Sequence, residues 1–291
     1  MVANPFVGVL FHWLGVASAG SFYVPYKRVQ RWSWEVYWLT GGAVAWLVTP
    51  WIFAALRTHD LLGVLHATPS GTMFWCYFWG AMWGLGSIAF GLTMRYLGLS
   101  LGMAVALGLT TVIGTLGPPL FHGKVVQLAL TSSGQMTFVG IALAVAGILI
   151  VARAGQAKDR ELGASGTTSG IAEFDLTKGL LLAVLAGILS SCFAFGLDAG
   201  EPIRKLTVAA GTGQLSRGLP VLCVVLAGGF TTNFLWCLGM IIRNRSGGEF
   251  TGRGRTASAG SAKSPPLLRN YALCALAGTL WYLQFFFYTM G

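Results

Sequence analysis

Apolar residues run along this chain in long blocks separated by short polar stretches. A bilayer core takes about 20 apolar residues per helix. On that rule the pattern predicts eight spans, at 5–25, 35–56, 72–94, 97–120, 135–153, 178–199, 218–242 and 270–290. The stretch from Trp79 to Leu120 reads as two helices joined by a tight turn at Met94–Leu99. Gly80, Gly84, Ser87 and Gly91 form a small-residue ridge on the first helix; Gly98, Gly102, Ala106, Thr110 and Gly114 form one on the second. Each glycine costs a helix in water about 1 kcal/mol relative to Ala. In lipid the same ridges let helices approach closely, so Gly80, Gly84, Gly91, Gly98, Gly102 and Gly114 are expected to serve tight or sliding helix packing.

Composition agrees: 55% of the 291 residues are hydrophobic and 10% charged, well below the roughly 25% charge of a soluble domain. The net charge of +10 does not imply nucleic acid, because the basic residues fall between spans and act as topology signals. Most Lys and Arg follow odd-numbered spans, among them Lys27, Arg28, Arg31 and the cations of 243–269. That side is expected to be cytoplasmic and the N-terminus outside. Residues 243–269 are Gly- and Ser-rich and read as a disordered basic tether, and 200–217 as holding a short helix that starts at Pro202. The N-terminal apolar run has its cations after it, so it reads as a retained span rather than a cleaved signal. The five cysteines lie in apolar segments without metal-binding spacing and read as packing residues. No nucleotide-binding, zinc-hydrolase or nucleophile-elbow motif occurs, so no cofactor is expected.

An internal repeat is visible. Gly15-Val-Ala-Ser18 with Tyr23 in span one matches Gly187-Ile-Leu-Ser190 with Phe195 in span six. Gly80-Ala-Met-Trp83-Gly-Leu85 in span three matches Gly278-Thr-Leu-Trp281-Tyr-Leu283 in span eight. The unit is five spans, an odd number, so the second copy enters the membrane from the opposite side, as in many secondary transporters. The fold expected is an all-α integral membrane bundle of the 5+5 inverted-repeat type. Residues 1–153 form the first repeat, 154–177 a linker, and 178–291 a second repeat that stops after its third helix.

The blocks LFHWLGVASAGSFYVPYKRVQRWSWE, WGAMWGLGSIAFGLTMRYLG, RAGQAKDR and WYLQFFFY resemble the L-rhamnose–proton symporter family of the drug/metabolite transporter superfamily. The resemblance runs from about residue 8 to the end. It implies a ten-helix fold, of which two helices are absent here, and uptake of a sugar with a proton across the cell inner membrane. The chain departs from the family at Ser87 and Ala89, where members often carry amides, and at Asp198, where they carry an uncharged residue.

Sugar binding needs aromatic faces and hydroxyl-binding groups, and proton coupling needs a group that titrates within the membrane. His12 lies on the line of Gly15, Ala19 and Tyr23 and is a candidate for either task. It reads equally as an interfacial histidine satisfied by water. Asp198, followed by Glu201, is a second proton-coupling candidate, with pairing to Arg204 or Lys205 at the headgroups as the competing reading. Gln284 is a mid-span amide that needs a partner. With Tyr23, Trp83 and Trp281 it completes the expected sugar contacts, although single aromatics more often pack helices. Glu35 is expected to be structural, pairing with Lys27 or Arg31. Rival readings are a metabolite or drug exporter of the same fold, a membrane sensor or assembly subunit, and a membrane-embedded enzyme, for which the acidic residues are too scattered.

Overall fold

The computed structural model describes residues 5–164, 176–253 and 266–290. Every regular element among them is helical: α1 (Pro5–Ser21), α2 (Tyr23–Tyr26), α3 (Trp34–Ala43), α4 (Thr49–Arg57), α5 (Leu61–Ala67), α6 (Ser70–Phe121), α7 (Val125–Leu130), α8 (Ser132–Ala164), α9 (Leu176–Ala199), α10 (Glu201–Ala209), α11 (Leu219–Asn244) and α12 (Leu267–Tyr288). Six helical stretches are long and apolar enough to cross a membrane, and the apolar part of α8, Ser132–Gly147, is shorter. The chain is a multi-pass helical membrane protein.

Contacts divide the chain into two compact units, 1–81 with 199–291, and 82–198. In the first, α11 is the core: Leu219–Leu226, Gly228, Gly229, Asn233, Cys237 and Ile241 are buried on it. Helices α3 and α4 lean on α11 and α12, and α1 lies along α12. The passage from α3 to α4 is a π turn over Val44–Val48. Pro50 explains it: its ring crowds the carbonyl of Trp46, four residues back, and it offers no amide hydrogen. Widening to a π turn absorbs both defects while the span continues.

In the second unit, α6 and α9 supply the buried cluster of Ala89, Ala106 and Ala186. Helical hydrogen bonding in α6 continues from Ser70 to Phe121, without the break expected at Met94–Leu99. The residues there include no proline, and a lone glycine does not stop a helix. The path nevertheless reverses. Gly86 faces Leu189 and Ser190, Gly179 faces Leu97, and Gly117 faces Phe195. A straight helix would hold residues 86 and 117 about 46 Å apart, yet both meet the same turns of α9. The limb before Leu97 therefore runs antiparallel to α9 and the limb after it parallel. At its far end α6 stops where Gly123 takes φ +66°, a conformation that costs glycine little.

Three other segments differ from the sequence reading. Helix α8 runs to Ala164, past the expected span end at 153, because Arg153–Leu162 are good helix formers apart from Gly155 and Asp159; residues 165–175 of the expected linker lie outside the described residues. The expected tether is structured at its start, where Gly247–Thr251 forms a 3₁₀ turn held by a carboxylate contact described below; 254–265 lie outside the described residues. The short helix expected near Pro202 is α10, with the proline in its first turn. All five cysteines are buried and unbridged.

Candidate functional site

Gly15 is buried on α1, and a Cβ there would stand 3.3 Å from the Gln284 carbonyl oxygen. Glycine at that position lets α1 lie close against α12. Just beside the contact, His12, Gly15, Val16 and Ala19 of α1 and Gln284 and Tyr288 of α12 line a cleft of about 140 Å³. The structure thus brings together His12 and Gln284, with the imidazole edge-on to the Tyr288 ring at 5.6 Å. An amide and an imidazole offer both donors and acceptors. Ligand pockets usually enclose about 300–1,000 Å³, so this cleft accommodates one edge of a solute.

Trp281 sits at the centre of an aromatic group. It stacks on Phe22 at 4.8 Å and 18° and packs against Trp38 at 4.9 Å and Trp46 at 4.8 Å. Tyr23, 40% exposed, meets Phe22 and Trp38 at the rim. Sequence reasoning found Trp281 and Tyr23 but missed Trp38 and Trp46, which the fold brings in from α3 and the π turn. Tyr26 Oη and Asn233 Nδ2 are buried without a hydrogen-bond partner among the described residues. They lie over Gly41 and Gly42 respectively.

Trp83 belongs to the second unit and packs on Phe193 at 5.2 Å. In the same unit Asp198 Oδ2 lies 2.7 Å from His122 Nε2, a partner that sequence reasoning missed. Arg204 bonds Glu201 at 2.7 Å. Pro118, Pro119, His122, Lys124, Gln127, Leu128, Thr131 and Asp198 line a cleft of about 380 Å³. A carboxylate ending a span needs a cation or donor nearby; the sequence reading offered Arg204 or Lys205, and nothing local singles out His122.

Of the glycine ridge, Gly80 seats the Val225 carbonyl, and Gly228 on α11 seats the Tyr77 carbonyl in return. Gly84 and Gly102 are buried, and Gly114 comes to 4.0 Å of the Ala194 Cβ. The surroundings of Gly91 and Gly98 lie outside the described residues.

A polar knot closes one end of the first unit. Glu35, 4% exposed in the first turn of α3, accepts from Asn244 Nδ2 at 2.9 Å and Ser246 Oγ at 2.8 Å. These neutral partners were not foreseen. Glu249 accepts from both the backbone amide and the hydroxyl of Ser33, the residue that precedes α3. Asn270 bonds the Gln30 backbone twice, donating to its carbonyl at 2.8 Å and accepting from its amide at 3.2 Å. Anions at a helix N-terminus are favoured by the backbone amides there, which accounts for two carboxylates at the head of one helix.

Comparison with known proteins places these features in a family. Residues 1–291 match the family described as L-rhamnose-proton symport protein. The chain is 41% identical over 288 residues to the L-rhamnose-proton symporter of Cronobacter sakazakii, a match covering 98% of this chain and 79% of that protein. It is 40% identical over 287 residues to that of Klebsiella pneumoniae subsp. pneumoniae and 39% identical over 285 residues to that of Shigella flexneri, with the same coverage. No solved structure matches the chain.

Proposed function

The chain belongs to the L-rhamnose-proton symport protein family, and from that premise we propose that it imports L-rhamnose or a related deoxysugar together with a proton across the bacterial inner membrane by alternating access. The observation that carries this reading is 41% identity to a named symporter along 98% of the chain. The activity is transport, with no bond made or broken in the solute.

The finer architecture proposed is eight crossings in an inverted repeat, 1–153 and 178–291 joined by 154–177. Loop contacts agree with the parity of that arrangement. Gln30 with Asn270 and Ser33 with Glu249 join segments after spans one and seven. His59 donates its amide to Thr212 Oγ1 at 2.9 Å, joining segments after spans two and six. Odd thus meets odd and even meets even, as an even number of crossings between the joined segments requires. The excess of Lys and Arg after odd spans supports the proposal that this side is cytoplasmic and the N-terminus periplasmic.

For the solute, His12 and Gln284 supply hydroxyl contacts in the α1–α12 cleft and Tyr23 a stacking face at the aromatic rim; Trp281, already stacked on Phe22, backs that rim, and Trp83, in the second unit, is a separate candidate. The proton falls to His12 or Asp198, the latter steadied by His122. Uptake of labelled L-rhamnose by proteoliposomes under an imposed proton gradient tests the reading; no gradient-driven uptake by the intact protein overturns it. Gln284→Ala removes one hydrogen bond to an uncharged solute and should raise KM roughly 2- to 10-fold at an unchanged membrane level. An unchanged KM removes Gln284 from the site.

A further inference from the structure

The polar knot at the head of α3 uses two buried carboxylates to which the transport reading gives no task. We propose that Glu35 and Glu249 form a proton-responsive latch that holds this end of the first unit shut and opens when they are protonated. The inference rests on the symport reading for its place in a cycle, and on geometry for its action.

Each carboxylate oxygen in the knot does double duty. Glu35 Oε1 accepts from Asn244 and from Ser246. Glu249 Oε2 accepts from the amide and the hydroxyl of Ser33. Together they tie the head of α3 to the end of α11 and to the 3₁₀ turn beyond it, across more than 200 residues of chain. Hydrogen bonds to an ionised acceptor are about twice as strong as neutral ones. Protonating one carboxyl therefore weakens two bonds at once, and also removes the attraction of that charge for the amides at the start of α3. The Gln30–Asn270 bonds beside them carry no titrating group and are left to hold the end alone.

The charged and titratable groups placed around the latch are Arg31 before α3, Cys237, Arg243 and Arg245 on α11, Arg253 after the 3₁₀ turn, and Arg269 and Tyr271 on α12. The arginines are exposed to the surroundings, where screening weakens their pull on a buried carboxylate, so the four hydrogen bonds are what favour the ionised, closed form. Cys237 is buried, one turn from Asn233 and bonded to its side-chain oxygen at 3.4 Å. Tyr271 donates to the Phe250 carbonyl at 2.9 Å and buttresses the turn that carries Glu249. The rest state is thus a shut latch, and a proton arriving at either carboxyl is the event that releases it. In a carrier that moves a proton with its solute, this couples proton entry to the opening of one end.

The test places spin labels at exposed Trp34 and Thr251, one on each side of the latch, in the full chain in lipid nanodiscs; the native cysteines are buried. A single short distance is expected at neutral pH. On acidification to below about pH 4, past the ordinary carboxylate range, a longer distance should gain roughly tenfold in population, about 1.4 kcal/mol. The variant Glu35→Gln/Glu249→Gln should show the longer distance at neutral pH and no response to acid. Ser33→Ala, which deletes one of the four bonds, should fall between the two and serves where the double variant does not fold. Distances indifferent to pH in the wild type, or still acid-responsive in the double variant, overturn the latch. Rhamnose uptake is measured alongside: a latch that responds in a protein that does not carry rhamnose sinks the substrate reading and leaves the latch standing.

Discussion

Gly228→Ala is the substitution whose cost the structure defines best. A Cβ on residue 228 would run into the Tyr77 carbonyl oxygen, with Ala81 N at 2.8 Å and the Tyr77 carbonyl carbon at 3.0 Å. All three are backbone atoms of α6, so no side chain can swing aside and the helices must part. Ordinary carbon contacts stand about 3.5–4.0 Å apart, and a gap of 0.5–1 Å forfeits a quarter to a half of each pair's attraction. Spread along the contact, that amounts to the roughly 1–3 kcal/mol typical of an overfilled site. Alanine also returns about 1 kcal/mol of helix propensity, which would blur the result. Gly239, on the same helix, has nothing within 4 Å of its would-be Cβ and collects the propensity gain without the collision. Reversible unfolding in mixed micelles should therefore place G228A about 1–3 kcal/mol below G239A, with G239A no less stable than the wild type. Gly80 shares the crossing, its Cβ position blocked by the Val225 carbonyl. Once one alanine has separated the helices, a second meets less resistance. The double variant G80A/G228A should thus cost less than the sum of the singles by at least about 0.5 kcal/mol. G228A as stable as G239A, or strict additivity of the pair, would refute the reasoning.

Trp281→Ala removes a ring packed against Phe22, Trp38 and Trp46 and should destabilise the protein by about 3–5 kcal/mol, read by thermal unfolding in detergent. A loss under 1 kcal/mol would mean that the aromatic group relaxes freely around the vacancy. The His122–Asp198 pair is nearly half exposed on both sides, so a double-mutant cycle with His122→Ala and Asp198→Ala should return a coupling of about 0–1 kcal/mol that fades with salt. A large, salt-insensitive coupling would show a desolvated pair instead.

What the sequence made legible was local and periodic. Span positions follow from runs of apolar residues. The reversal of α6 follows from two ridges meeting around Leu97, although no residue there ends the helix. Gly15 and Gly80 stood out because a bare Cα at helical spacing is a packing signal before the partner is known. Trp281 and Gln284 stood out for residue type alone. What stayed hidden depends on partners far along the chain. Trp38 and Trp46 look like ordinary span residues until α3 and the π turn before Pro50 present them to Trp281. His122 follows two prolines at a helix end, and only the fold sets it against Asp198. Glu35 looked like an interfacial anion for nearby cations, because Asn244 and Ser246 open a Gly- and Ser-rich stretch whose composition argues against order. Glu249 defeats that composition by accepting two bonds from Ser33, giving the stretch a docking point that no local pattern announces.

The contacts of the first unit differ in how they can move, and this bears on where a rocking motion would take place. At the crossing of α6 and α11, the Val225 carbonyl sits over Gly80 and the Tyr77 carbonyl over Gly228. A slide of one residue, about 1.5 Å, would carry the Val225 carbonyl off Gly80 toward Trp79 or Ala81, which bear Cβ atoms, and backbone does not yield. The ridge at Gly80 therefore acts as a seam that holds register, whereas a sliding surface was one of the two roles open to it. Gly278 against the Gly41 carbonyl makes a second such seam between α3 and α12. The polar knot is of another kind, since its bonds to Asn244, Ser246 and Ser33 can be exchanged for water without moving a helix through its neighbour. Rigid seams within the unit and exchangeable bonds at its end form the combination a carrier needs: helices that travel as a body, and a closure that a single proton can loosen.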